Sequence, residues 1–80
     1  MVYYATFFTH FGAIQFREFA KKEQFDCTLM PVPRVLSSSC GTCARYEAKT
    51  WDTGFVDEAL EGIYGIDEAK KIQVYFKAKE

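Results

Sequence analysis

Two stretches of similar make-up flank one small, polar break, and that arrangement limits the folds open to this chain. Before the break lie Val2 to Phe8 (VYYATFF), a run from Phe11 to Glu23 with helical spacing, and Phe25 to Val32 (FDCTLMPV). After it come Cys43 to Ala48 (CARYEA), a second run from Trp51 to Tyr64, and Ile72 to Phe76 (IQVYF). The loop runs from Arg34 to Gly41, and at its centre sits Ser37-Ser38-Ser39-Cys40-Gly41-Thr42-Cys43. Each half therefore reads strand, helix, strand.

The local signals support that division. Val2 to Phe8 is β-branched and aromatic, and apolar on both faces, as a central strand is. Thr9 is placed to cap the first helix. Ala13, Phe16 and Ala20, with Phe19 slightly off-centre, form its buried stripe, while Arg17, Lys21, Lys22 and Glu23 face outward. Phe11 and Ile14 fall off that stripe, which reads as packing in the first turn or as a partner-binding patch. In the second strand Phe25, Cys27 and Leu29 share one face and Asp26 and Thr28 the other. Pro31 and Pro33 cannot donate to a ladder, so this strand belongs on an edge. Cys27 reads as a small core residue. In the next strand Ala44 and Tyr46 alternate with Arg45 and Glu47.

Trp51, Phe55, Ala59, Leu60 and Ile63 recur at i, i+4, i+8, i+9 and i+12, with Val56 at the margin of the stripe. This spacing predicts a second helix, capped by Thr50 or Asp52 and stopped by Gly65 with Ile66 as the hydrophobic contact. Asp67 to Lys71 reads as a charged turn. Ile72, Val74 and Phe76 are expected to point inward, and Lys77 to Glu80 to form a solvated tail.

Eighty residues make one domain, expected over 1–80. The fold expected is α+β: a ferredoxin-like β-α-β-β-α-β sandwich, with an antiparallel sheet in the order 4-1-3-2 and two helices on one face. That topology brings Phe8 to Phe11, Arg34 to Cys43 and Gly65 to Lys71 to one rim. It also sets His10 and the first helix N-terminus near Cys40 and Cys43.

Composition narrows the function classes. The apolar share is 49% and the aromatic share 18%, which supports a packed core and excludes disorder. Ten basic and eleven acidic side chains leave a net charge of -1, which argues against nucleic acid as a partner. No apolar run approaches the roughly 20 residues of a membrane span. Met1-Val2-Tyr3-Tyr4 lacks the basic region of a signal peptide, so a cytoplasmic location is expected. There a C-x-x-C pair points to redox, metal or sulfur chemistry rather than a permanent staple.

Three chemistries compete for Cys40 and Cys43: a dithiol/disulfide switch, half of a zinc site shared with a second subunit, and a carrier thiol. The thiolate is the reactive form, and a free cysteine near pKa 8.5 is only a few per cent ionised at neutral pH. A helix N-terminus, an imidazole at His10, Arg34 and Lys70 all favour the anion. Ser37, Ser38, Ser39 and Gly41 supply hydroxyls, backbone N–H groups and room for approach. A single C-x-x-C with no second pair argues against zinc held within one chain. No resident metal or cofactor is therefore expected.

The segment Met30-Pro31-Val32-Pro33-Arg34-Val35-Leu36-Ser37-Ser38-Ser39-Cys40-Gly41 resembles the signature of the selenium/sulfur carrier-like proteins, small bacterial and archaeal proteins with a P-V-P-R-x-[apolar]-S-S-S-C-G core. The Thr9-His10 turn with its Ala13-bearing helix, and Gly62-Ile63-Tyr64, resemble them too. The resemblance implies a non-enzymatic carrier that holds sulfur or selenium on Cys40. Its implied partners are donor and acceptor proteins of chalcogen transfer, such as a cysteine desulfurase-type enzyme. Where members of that family often have a small or apolar residue, this chain has Cys43, a candidate resolving thiol. The competing readings are a thiol-disulfide or zinc switch and a plain interaction domain. In the last, a sheet face with Tyr3, Arg45, Glu47 and Tyr75 meets a partner, a second copy of the chain among the candidates.

Overall fold

In the computed structural model, which describes residues 1–55 and 57–78, a five-stranded sheet carries a single helix. The elements are β1 (Val2–Phe7), α1 (His10–Glu23), β2 (Asp26–Pro31), β3 (Thr42–Glu47), β4 (Leu60–Ile66) and β5 (Ile72–Lys77). The sheet order is β2-β3-β1-β4-β5, and every neighbouring pair is antiparallel. The expected ferredoxin-like sandwich is thus corrected. The second run of apolar residues ends in a strand, the sheet gains a fifth member, and one helix rather than two packs on it.

The first half forms as its residues dictate. Thr9 caps α1, its hydroxyl accepting the Gly12 N–H at 3.1 Å. The helix ends at Gln24, which adopts a left-handed φ of 62° and donates its N–H to the carbonyls of Ala20 and Lys21. Gly12, Ala13, Phe16 and Ala20 are its buried residues. Phe16 sits in an aromatic cluster with Phe7, Phe19, Phe25, Tyr46 and Phe55, at centroid distances from 5.1 to 6.4 Å. β2, with Pro31 at its end, lies on an edge beside β3.

The second half departs from expectation for physical reasons. Gly54 has a φ of 85°, outside the range of a helix. The carboxylates of Asp52 and Asp57 accept the N–H groups of Gly54 and Ala59, local turns that compete with helical bonding. Leu60 and Ile63, three residues apart, would point to opposite faces of a regular strand. The register shift against β1, where Phe7 pairs with Leu60 but Thr6 with Gly62, brings both to the core side. A helix-like spacing was therefore written by a bulged strand. Trp51 and Phe55 still reach the core, Trp51 stacking on Phe76 and Phe55 lying edge-on to Phe7 and Phe16. They cover the part of the sheet assigned above to a second helix. Val56, placed above at the margin of that helix, and Lys79-Glu80 of the expected tail lie outside the described residues. In β5, Ile72 and Val74 are exposed rather than inward, and Phe76 is half-buried.

The two faces of the sheet are covered differently. Tyr3, Ala5, Phe7, Ala44 and Tyr46 belong to the core under α1. Thr6 and Cys43, which pair across the strands and alternate with those residues, point the other way, yet neither has exposed surface. The segment from Val32 to Gly41 supplies the cover. Leu36 is buried within it, and Pro33, Arg34 and Val35 form a groove with Tyr4 and Ile66 of the sheet. The loop thus lies back on the sheet instead of standing off it.

Candidate functional site

The site lies where β1 ends and β3 and β4 begin. The loop from β2 to β3 is closed at its neck by the Val32 N–H, which donates to the Gly41 carbonyl at 3.1 Å. A turn inside it is set by the Leu36 N–H on the Pro33 carbonyl at 2.9 Å. Gly41 has a φ of 74°, and open space surrounds the position a Cβ would take. Glycine is needed there for the backbone conformation rather than for close packing.

Three consecutive residues then fix the thiol. Ser38 donates its hydroxyl to the Phe7 carbonyl at 3.0 Å, and the same oxygen lies 4.0 Å from Cys40 Sγ. Ser39 gives its N–H to Glu61 Oε1 at 3.2 Å and its hydroxyl to Glu61 Oε2 at 2.9 Å. Cys40 donates its thiol proton to the Thr42 carbonyl at 3.4 Å and packs, half-buried, against the core. His10, the first residue of α1, places Nδ1 3.3 Å from Thr42 Oγ1. Its imidazole therefore meets the residue whose carbonyl holds the Cys40 thiol.

The two cysteines of the C-x-x-C pair have different surroundings. Cys43 is wholly buried, with Sγ 4.0 Å from the Pro31 carbonyl, and burial pushes its thiol up to about 11, with the neighbouring thiols of Cys40 and Cys27 adding to the rise. All three cysteines are free thiols. Cys27 is half-buried in β2, and burial raises it to about 11 as well, partly offset by Arg17. The described residues contain no group of three or more His, Cys, Asp or Glu placed to hold a metal ion.

The residues singled out above fall into two sets. Ser38 lies beside the Cys40 thiol, Ser39 and Gly41 flank it in the chain, and His10 reaches Thr42 rather than the sulfur. Arg34 lies away from these contacts, exposed on a groove of about 460 Å³ shared with Tyr4, Pro33, Val35, Ile66, Asp67, Glu68 and Lys70. Ser37 is exposed, and among the described residues its side chain makes no hydrogen bond. Glu61 was not foreseen, because the helical reading of 51–64 gave it no link to the loop. The signal was Gly62 beside it, with Gly54 in the same run. Two glycines inside a helix together cost about 2 kcal/mol relative to alanine, which favours the strand that in fact carries Glu61 to the loop.

A free, half-covered thiol held by serines at one end of a small sheet is a site built around a single sulfur. The chain belongs to the family described as "Putative Se/S carrier protein-like", whose model matches residues 2–74. No curated protein and no solved structure matches it. No helix of the described residues is long and apolar enough to cross a membrane.

Proposed function

We propose that this protein carries sulfur or selenium on Cys40 and passes it between partner proteins. The observation that supports this reading is the contrast between the paired thiols. Cys40 is reachable at the end of the sheet, beside a hydroxyl and within one residue of an imidazole. Cys43 is buried, and its raised pKa disfavours the thiolate that attack or metal binding requires. A Cys40–Cys43 disulfide or a shared zinc ion would need Cys43 to leave its place under the loop.

The transfer is an exchange without net oxidation. The Cys40 thiolate attacks the outer sulfur of a donor's persulfide, the donor's S–S bond breaks, and the donor leaves as a thiolate. The new Cys40 persulfide hands its outer sulfur to an acceptor thiolate by the same exchange, and a selenium analogue follows the same steps. The Ser38 hydroxyl lies 4.0 Å from Cys40 Sγ, and His10 reaches Thr42 at the rim of the same site. The partners this chemistry calls for are a donor of the cysteine desulfurase type and an acceptor protein, met in the cytoplasm.

Intact mass tests the reading. After incubation with a cysteine desulfurase and cysteine, the protein gains the mass of one sulfur atom. Peptide mapping places it on Cys40, and Cys40→Ser abolishes it. Absence of an adduct in both the wild type and Cys43→Ser would refute the carrier role.

A further inference from the structure

We infer that Glu61 is a latch that holds the Cys40 loop against the sheet and keeps the thiol half-covered. Its biological use rests on the carrier reading; its test does not. Ser39, the residue directly before Cys40, presents two donors to one carboxylate, its N–H at 3.2 Å and its hydroxyl at 2.9 Å. Two converging hydrogen bonds on a carboxylate fix orientation as well as position. They set the Ser39 peptide, and through it the direction in which the next side chain leaves the backbone.

The other ties of the loop end on backbone carbonyls: Ser38 on Phe7, Val32 on Gly41 and Leu36 on Pro33. Those acceptors persist whatever side chains β1 and the loop carry. The Glu61 tie depends on one side chain, 22 residues further along the chain. It lies at the exposed rim, where water or a partner's side chain competes for the carboxylate. With the latch closed, the Cys40 thiol faces the Thr42 carbonyl and packs on the core. With it open, Ser39 and Cys40 are held only at either side, by the Ser38 tie to Phe7 and the Val32 tie to Gly41, and are free to turn the thiol outward. Glu61 touches neither the thiol nor its cargo, so it is a positioning residue.

The test compares Cys40 alkylation by iodoacetamide, mapped by mass spectrometry, in the full chain and in Glu61→Ala, Glu61→Gln and Ser39→Ala. Glu61→Ala should speed alkylation of Cys40 about 3- to 10-fold, the factor one or two exposed hydrogen bonds carry, and raise amide exchange at Ser39 to Gly41. Glu61→Gln keeps an oxygen for the Ser39 N–H and an amide group for its hydroxyl, and should restore the rate to within about twofold of wild type. Rescue by the uncharged glutamine separates the latch from a mere effect of removing a negative charge. Ser39→Ala should fall between, and combining it with Glu61→Ala should add nothing. Should Glu61→Ala not fold, Ser39→Ala on the exposed loop carries the same expectation. Unchanged alkylation in both alanine variants, or a glutamine variant as fast as the alanine one, would overturn the latch. A persulfide donor separates the two ideas. If alkylation follows the expected order and no variant gains sulfur, the carrier reading fails and the latch stands. Normal sulfur loading with an unchanged alkylation order removes the latch and leaves the carrier.

Discussion

Replacing Leu36 with alanine should lift the loop off the sheet without unfolding the rest, and the buried thiol beneath reports the difference. Leu36 is 8% exposed, so it gives nearly its whole side chain to the docked loop. Burial of a leucine side chain is worth about 1.5–3 kcal/mol. A loop can withdraw from the site instead of leaving a rigid cavity, so we take about 2 kcal/mol, the transfer contribution alone. Local opening then becomes about 30-fold more frequent. Cys43 points toward the loop and has no exposed surface, whereas Cys27 pairs with Tyr46 on the side of the sheet that packs on α1. Alkylation followed residue by residue under native conditions should therefore rise about 30-fold at Cys43 and stay near its starting rate at Cys27. Equal increases at both thiols would mean global unfolding, and no increase at Cys43 would mean that something other than the loop covers it. Either result refutes the assignment of Val32 to Gly41 as the cover of that face.

Three further outcomes follow from the same geometry. Gly12→Ala should destabilise by about 1–3 kcal/mol in urea denaturation, because a Cβ there runs into the Ala59 methyl group, although helix propensity alone favours alanine by about 1 kcal/mol. Phe16→Ala empties the centre of the aromatic cluster and should cost about 3–5 kcal/mol, enough to leave a chain of this size largely unfolded by circular dichroism; a cooperative transition near that of wild type would refute the cluster as the core. Alkaline pH should also weaken the fold. The Cys43 and Cys27 thiols are raised to about 11 and Tyr46 is raised by burial too, so above the ordinary thiol value the unfolded chain holds fewer protons than the native one. Stability is complete below about pH 8.5 and falls between there and about pH 11. Cys43→Ala should flatten that decline, and an unchanged slope would show that its thiol does not contribute.

The first half of the molecule was legible because each local preference agrees with the fold. Thr9 caps a helix whose stripe reaches the core, and Pro31 does sit on an edge strand. The second half was not, because two devices imitate a helix. A bulge turns Leu60 and Ile63 to the same face, and Trp51 and Phe55 pack from irregular backbone at spacings that a helix shares. Period alone could not separate these cases. The glycines at 54 and 62, together with Asp52 and Asp57, held the information. At the candidate site, the motif pointed to Cys40 and its serines, since they are contiguous in sequence. Glu61 was hidden because its role depends on strand pairing between distant segments. The inward fold of the loop, with Leu36 buried, depends on the same pairing.

The position of β1 also bears on how the chain is made. β1 is the middle strand, and its partners are β3 and β4. The β4 strand ends at Ile66, 59 residues after Phe7. At about 5–20 residues per second, translation leaves the central strand of the sheet without its second neighbour for about 3–12 s. During that interval Val2 to Phe7 depends for cover on α1 and, once it has been made, on β3. Substitutions that slow the pairing of β4 should therefore lower the yield of folded protein in cells more than they lower its equilibrium stability.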